Sequence, residues 1–167
     1  TFRDCPTRYS ILRCLELPKV GGDTLWADMC AAYDGLSAPL KTMIHGLTAT
    51  HDFKPFRALY GDSDQDREKL RNMEQLYPNP THPMVRTNPE SGRKALFVNP
   101  HFTLRINELT EQESDALLKL LFEQTHVPEY QFRLRWKPGT MVLWDNASTQ
   151  HYAANDYYPN RRRMERV

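Results

Sequence analysis

Residues 130–136 read YQFRLRW, with Tyr130, Phe132, Leu134 and Trp136 alternating against Gln131, Arg133 and Arg135. Successive side chains of an extended strand point to opposite faces of a sheet. Strict period two therefore specifies a strand with one apolar face and one wet face. A helix is excluded here, and the apolar face must find a second layer to cover it. Other short runs repeat the same demand. Tyr9–Glu16 (YSILRCLE) is apolar-rich and stops before Pro18. HPMVRT (82–87) reads as a strand, NPESGRK turns the chain into ALFV and FTLRI, and KPGT turns it into MVLWD.

Helices are fewer. Gly21 and Gly22 turn the chain into DTLWADM, after which short helices are expected over 28–36 and from Ser37 to Gly46, with Pro39 in the first turn of the second. Residues 47–53 read as extended. Thr110 and Glu113 form a capping box ahead of Ala116, Leu117, Leu120 and Leu121, which predicts a helix with those residues on its apolar face. Residues 54–80 are polar, and GDSDQDREKLRN carries a charged helix with little apolar face. That segment is expected to be an exposed, mobile excursion with the character of a lid.

Regular strand–helix alternation is absent, so a doubly wound sheet is disfavoured. Many short strands with a few helices predict a mainly β (α+β) protein, a sandwich or jelly roll with helical insertions. A length of 167 residues with no internal linker or repeat suits one domain. Thr1 is not an initiator methionine and 161–167 reads as a strand without a finish, so both ends are expected to be cut. The net charge of +1 gives no basic field for nucleic acid. No run has the length of a membrane span and nothing resembles a signal peptide, so a cytoplasmic protein is expected. Cys5, Cys14 and Cys30 are odd in number and lack CxxC spacing, which suits reduced thiols better than zinc.

The chemistry gathers near the end, in WDNASTQHYAANDYYPNRRRMERV. If 161–167 is a strand, Arg162, Met164 and Arg166 share one face, with the two arginines about 13 Å apart. That is too far to clamp one small carboxylate together. They suit either two different anions or a solvated basic edge. His151 is either a structural histidine or a metal ligand. The other histidines (His45, His51, His82, His101 and His126) show no ligand spacing, and no HxD, HxE or HExxH occurs.

GGDTLWADM, HPMVRTNPESGRKALFVN, WDNASTQHYA and RRRMERV resemble, in order along essentially the whole chain, the taurine dioxygenase family of iron(II)- and 2-oxoglutarate-dependent oxygenases. That family includes alkylsulfatases and aryloxyalkanoate dioxygenases. The resemblance implies a double-stranded β-helix (a cupin-like jelly roll), here incomplete at its N-terminus. It also implies Fe(II) held by two histidines and a carboxylate, with 2-oxoglutarate and O2 as cosubstrates. His151 matches the distal metal-binding histidine. Thr1-Phe2 resembles the pair that follows the family's HxD motif, so the other His and Asp ligands are expected upstream of Thr1. Arg162 and Thr24 match the groups on the distal carboxylate of 2-oxoglutarate. Arg166 matches the arginine that meets the substrate anion, and Phe56, Phe102 and Trp144 match aromatic positions around substrate and iron.

The implied activity is hydroxylation of a small anionic organic substrate, a sulfonate such as taurine or an alkyl sulfate ester, with release of succinate and CO2. An aryloxyalkanoate dioxygenase or a related halogenase is the alternative enzyme. A non-catalytic anion-binding module is the alternative of another class, because one recognisable ligand stands where three are needed. No nucleic acid or membrane partner is expected, and homo-oligomerisation is left open.

Overall fold

The computed structural model describes residues 1–53, 57, 61 and 63–166. The expected aromatic contact Phe56, with most of 54–62, lies outside the described residues. All strand pairings among them are antiparallel. The chain runs through β1 (Tyr9–Glu16), β2 (Thr24–Asp28), α1 (Met29–Asp34), α2 (Ala38–Ile44) and β3 (Thr48–His51). It continues with α3 (Asp64–Leu76), β4 (Thr81–Pro83), β5 (Val85–Thr87), β6 (Lys94–Leu96), β7 (Thr103–Ile106) and α4 (Glu111–Glu123). It closes with β8 (Gln131–Leu134), β9 (Met141–Asp145), β10 (Thr149–Ala153) and β11 (Arg163–Arg166). These form three three-stranded sheets, ordered β11-β1-β9, β10-β2-β8 and β4-β3-β7, and the two-stranded ribbon β5-β6. The protein is mostly β with a few helices.

Local chemistry explains the helix starts. Asp28 accepts the Cys30 and Ala31 N–H groups at 2.8 and 3.1 Å, and Ser37 accepts the Leu40 N–H at 3.4 Å. The Thr110–Glu113 capping box forms as its sequence predicts.

Four expectations need correction. HPMVRT is not one strand: it breaks at fully buried Met84, whose N–H donates to Leu47 O and whose C=O accepts from Phe97 N. Met84 thus joins two sheets instead of continuing one. The buried face of α4 holds Ser114, Leu118 and Leu121, while Leu120 is 45% exposed. That face turns toward Ser114 because its hydroxyl accepts the buried Ile106 N–H at 2.9 Å, an obligation apolar periodicity does not register. In YQFRLRW the strand proper is only Gln131–Leu134, and Phe132 is 61% exposed. Phe132 pairs with Trp26 in register, but β8 is an edge strand and its face is open there. Finally, the last strand begins at Arg163, so Arg161 and Arg162 precede it and Val167 lies outside the described residues.

Two cores result. The larger packs α1, α2 and α4 against the sheets through Ile44, Met84, Leu96 and Leu121. The smaller is built on Cys14, Trp26, Trp136 and Trp144, and Met164 packs against it. Among the described residues the cysteines are free, Cys5 exposed and Cys14 and Cys30 buried, and no helix is long and apolar enough to cross a membrane.

The charged helix expected in the 54–80 excursion is α3, which buries none of its residues. Little apolar burial opposes its local opening. Backbone amides of α3 are therefore expected to exchange at least tenfold faster than those around Leu118 and Leu121 in α4, as an order of magnitude for a weakly held helix. Hydrogen exchange read by mass spectrometry checks this, and equal protection of the two helices would refute it.

Candidate active site

The tryptophan core carries the site. Gly21 and Gly22 adopt left-handed backbone angles (φ 83° and 76°), and Asp156 accepts the Gly22 N–H at 2.7 Å, which fixes the turn into β2. That bond holds the Asp156 carboxyl below its ordinary range. Arg162, free of the strand that follows it, reaches back across this turn. Its Nε donates to Gly22 O at 3.0 Å and an Nη donates to Thr24 Oγ1 at 3.2 Å.

Thr24 is 1% exposed, and its Oγ1 also accepts from Trp136 Nε1 at 2.9 Å. Indole and guanidinium N–H groups can only donate, so both lone pairs of the Thr24 hydroxyl are taken. What remains is its proton, which a carboxylate oxygen would accept. Among the described residues no carboxylate forms an ion pair with Arg162 or with Arg166. A paired Arg–Thr donor with an unspent positive charge fits one end of a dicarboxylate.

Gly22 is required for this approach. A Cβ there would meet Arg162 Cδ at 3.0 Å and Nε at 3.2 Å, on a backbone with φ +76°. Gly22→Ala is expected to cost on the order of 1 kcal/mol of stability from the left-handed backbone. It should also push Arg162 out of line with Thr24. Thermal denaturation measures the loss of stability.

On the other side of the core, Arg166 donates to Ser10 Oγ at 2.8 Å and its guanidinium lies 5.5 Å from the Trp144 ring centre. Trp144 is buried, and its ring centre is 5.1 Å from that of His151. His151 sits on β10 opposite Trp26 of β2. Solvent reaches the side chain, yet neighbouring protein strips enough water from the ring, and Arg166 adds enough positive charge, to hold its pKa below the usual histidine value. A neutral imidazole is the form that ligates a metal. The two arginines thus rest on separate hydroxyls, Arg162 on Thr24 and Arg166 on Ser10.

Trp26, Phe102, His151 and Arg166 line a cavity of about 1020 Å³. Phe102 is half-buried with its ring centre 5.3 Å from Phe2, while Thr24, Arg162 and Trp144 do not line the cavity. Trp26 Nε1–H is buried and has no acceptor among the described residues, so it is a donor that a bound anion or water would satisfy. Among the described residues no three His, Cys, Asp or Glu side chains come together as a metal site. The Arg162–Thr24 pair has donors suited to a carboxylate, and His151 belongs to no such cluster of metal-ligating side chains among the described residues.

Sequence reasoning missed several residues here. Trp136, Ser10 and Asn146 are polar partners of the arginine seats, joined to them over more than one hundred residues of chain. It also missed a buried histidine pair. The His51 and His82 rings lie edge to face at 5.1 Å, and both bond Thr1, His51 Nδ1 to its hydroxyl (2.8 Å) and His82 Nε2 to its carbonyl (2.9 Å). No spacing rule links positions so far apart, and apolar periodicity does not single them out.

The framework is that of an antiparallel β protein whose cleft carries Arg166, an arginine with no carboxylate partner among the described residues. The family described as "Taurine catabolism dioxygenase TauD, TfdA family" matches residues 1–167, and the chain belongs to it. An alkylsulfatase of Acinetobacter baylyi is 36% identical over 173 residues, covering 100% of this chain and 53% of the relative. An alpha-ketoglutarate-dependent 2,4-dichlorophenoxyacetate dioxygenase of Cupriavidus pinatubonensis is 36% identical over 167 residues, covering 100% of this chain and 56% of the relative. The crystal structure of a taurine dioxygenase from Burkholderia xenovorans superposes with a TM-score of 0.83 at 35% identity, over 99% of this chain and 53% of that one. The chain spans about half the length of the curated relatives it matches.

Proposed function

We propose that this chain is the larger part of the active site of an iron(II)- and 2-oxoglutarate-dependent dioxygenase with a jelly-roll framework. Its substrate would be a small organic anion, a sulfonate such as taurine or an alkyl sulfate ester. The observation that carries the reading is the pair of arginines on one tryptophan core, each seated on a buried hydroxyl and neither neutralised by a carboxylate among the described residues. Family membership and the names of the alkylsulfatase and taurine dioxygenase relatives support it.

In this reading Arg162 and Thr24 hold the distal carboxylate of 2-oxoglutarate, the first by charge and the second by its remaining proton. Arg166 holds the substrate anion. Trp144 backs Arg166 and His151, and Phe102 contributes an apolar wall that sheds water from the cavity. His151 offers one neutral ring nitrogen to iron, and further ligands, a His and an Asp, are expected from residues upstream of Thr1. Iron with 2-oxoglutarate and O2 would supply the oxidising power for C–H hydroxylation.

A second reading has a carboxylate in place of the sulfur oxyanion. The 2,4-dichlorophenoxyacetate dioxygenase relative favours it, and a guanidinium fork accepts either anion. The deciding experiment supplies the full-length enzyme with iron(II), 2-oxoglutarate and O2. It counts succinate and oxidised product on alkyl sulfates, alkanesulfonates and aryloxyalkanoates. Stoichiometric succinate with an alkyl sulfate or sulfonate is the expected outcome. Coupling only with aryloxyalkanoates selects the second reading, a chlorinated product selects a halogenase, and no succinate with any of them leaves only an anion-binding module.

A further inference from the structure

Arg166 ends a long side chain on edge strand β11, where it needs something to fix its direction. Its neighbours show what does so. Trp144 Nε1 donates to Asn146 Oδ1 at 2.7 Å, and an indole N–H can only donate, so the amide oxygen of Asn146 must face the tryptophan. The amide nitrogen then faces the other way, and it donates to Ser10 Oγ at 2.8 Å. Arg166 donates to the same oxygen at 2.8 Å. With two groups that can only donate converging on it, the Ser10 hydroxyl has both lone pairs taken, and its rotation is fixed.

Ser10 is 2% exposed and sits on β1, the central strand of its sheet, directly opposite Trp144 on β9. Arg166 pairs with Leu12, two residues farther along the same face of β1. The acceptor is therefore rigid and close. It is also neutral. A carboxylate in that place would orient the guanidinium but cancel its charge, whereas a hydroxyl orients it and leaves the charge for a ligand. Thr24 stands to Arg162 in the same relation, with Trp136 in the part of the second donor.

We infer that Ser10, locked by Asn146 and Trp144, is the positioning residue that aims Arg166 at the anionic group of the primary substrate. This inference rests on the reading of Arg166 given above. The test uses full-length holoenzyme variants titrated with hexyl sulfate, hexanesulfonate, 2,4-dichlorophenoxyacetate and 2-oxoglutarate, with succinate and oxidised product counted separately.

Ser10→Ala is expected to weaken the preferred anion by about tenfold, the scale of one lost hydrogen bond to a charged group. The 2-oxoglutarate affinity should stay constant, and succinate should outrun product because a loosely held substrate misses the reacting centre. Ser10→Thr should restore both affinity and coupling. On an Arg166→Ala background, Ser10→Ala should cost nothing further, since Ser10 acts through that arginine. If Ser10→Ala unfolds the protein below the assay temperature, Asn146→Ala carries the same test, with the same ligand affected.

Equal losses for the anion and for 2-oxoglutarate, an undiminished loss on the Arg166→Ala background, or no loss at all in a folded Ser10→Ala enzyme would each overturn the assignment. Arg166→Ala without effect on any of the three anions would instead overturn the underlying reading of Arg166.

Discussion

Arg162→Ala in the full-length enzyme is expected to raise the 2-oxoglutarate requirement roughly ten- to a hundredfold. The guanidinium donates to Gly22 O and Thr24 Oγ1 and has no carboxylate partner among the described residues, so its charge is held in reserve beside a single hydroxyl proton. Losing a charge-assisted hydrogen bond in a shielded site costs on the order of 1.5–3 kcal/mol, which is that range of affinity. Arg166→Ala should leave 2-oxoglutarate nearly intact and weaken the anionic primary substrate by a similar factor. It should also raise uncoupled turnover, because the C–H bond is no longer held over the reacting centre. Lysine at either position should rescue only in part, since a point charge does not reproduce the planar fork. The check is a pair of titrations for each variant, one in each ligand. Both substitutions weakening the same ligand equally would show that the arginines serve one seat and not two.

Stability is expected to fall steeply below neutral pH. His51 is fully buried, and burial first, then the positive charge of His82, pushes its pKa from 6.5 down to about 3. His82 is lowered as well, mainly by burial. An unfolded chain takes up a proton at His51 near pH 6.5, and the folded protein does so only near 3. Between those values the unfolded state binds more protons, so stability is fully present above the unfolded value and is lost as pH falls toward the folded one. For His51 alone the loss between about pH 7.5 and pH 5 is roughly 2 kcal/mol. Urea denaturation at the two pH values measures it. His51→Leu should flatten the dependence by that amount whatever it does to absolute stability; it removes the Nδ1 bond to the Thr1 hydroxyl, which Asn99 still meets. An unchanged slope in His51→Leu would show that His51 is not the group responsible.

The sequence by itself determined the parts that depend on near neighbours. Asp28, Ser37 and the Thr110–Glu113 pair start helices because a cap is a contact across two or three residues. Apolar runs bounded by Pro18 and by the KPGT turn placed strands at Tyr9–Glu16 and Met141–Asp145, because turn residues and apolar runs are local signals. The spacing of Arg162 and Arg166 left two anions and a solvated basic edge both open, and resemblance along the chain singled out Thr24, Trp144 and His151 as candidates. Only the tertiary structure decided what those residues touch. Phe132 obeys the alternation yet stays exposed, because burial depends on whether another layer covers that end of the sheet. Met84 breaks an apparent strand because two sheets claim its backbone groups. The hydroxyls that seat the arginines, Thr24 and Ser10, and the donors Trp136 and Asn146 that fill their lone pairs come from strands and turns far apart in the chain. A hydrogen bond has direction and a reach of about 3 Å. Whether two distant side chains meet it is settled by strand register and not by composition or periodicity.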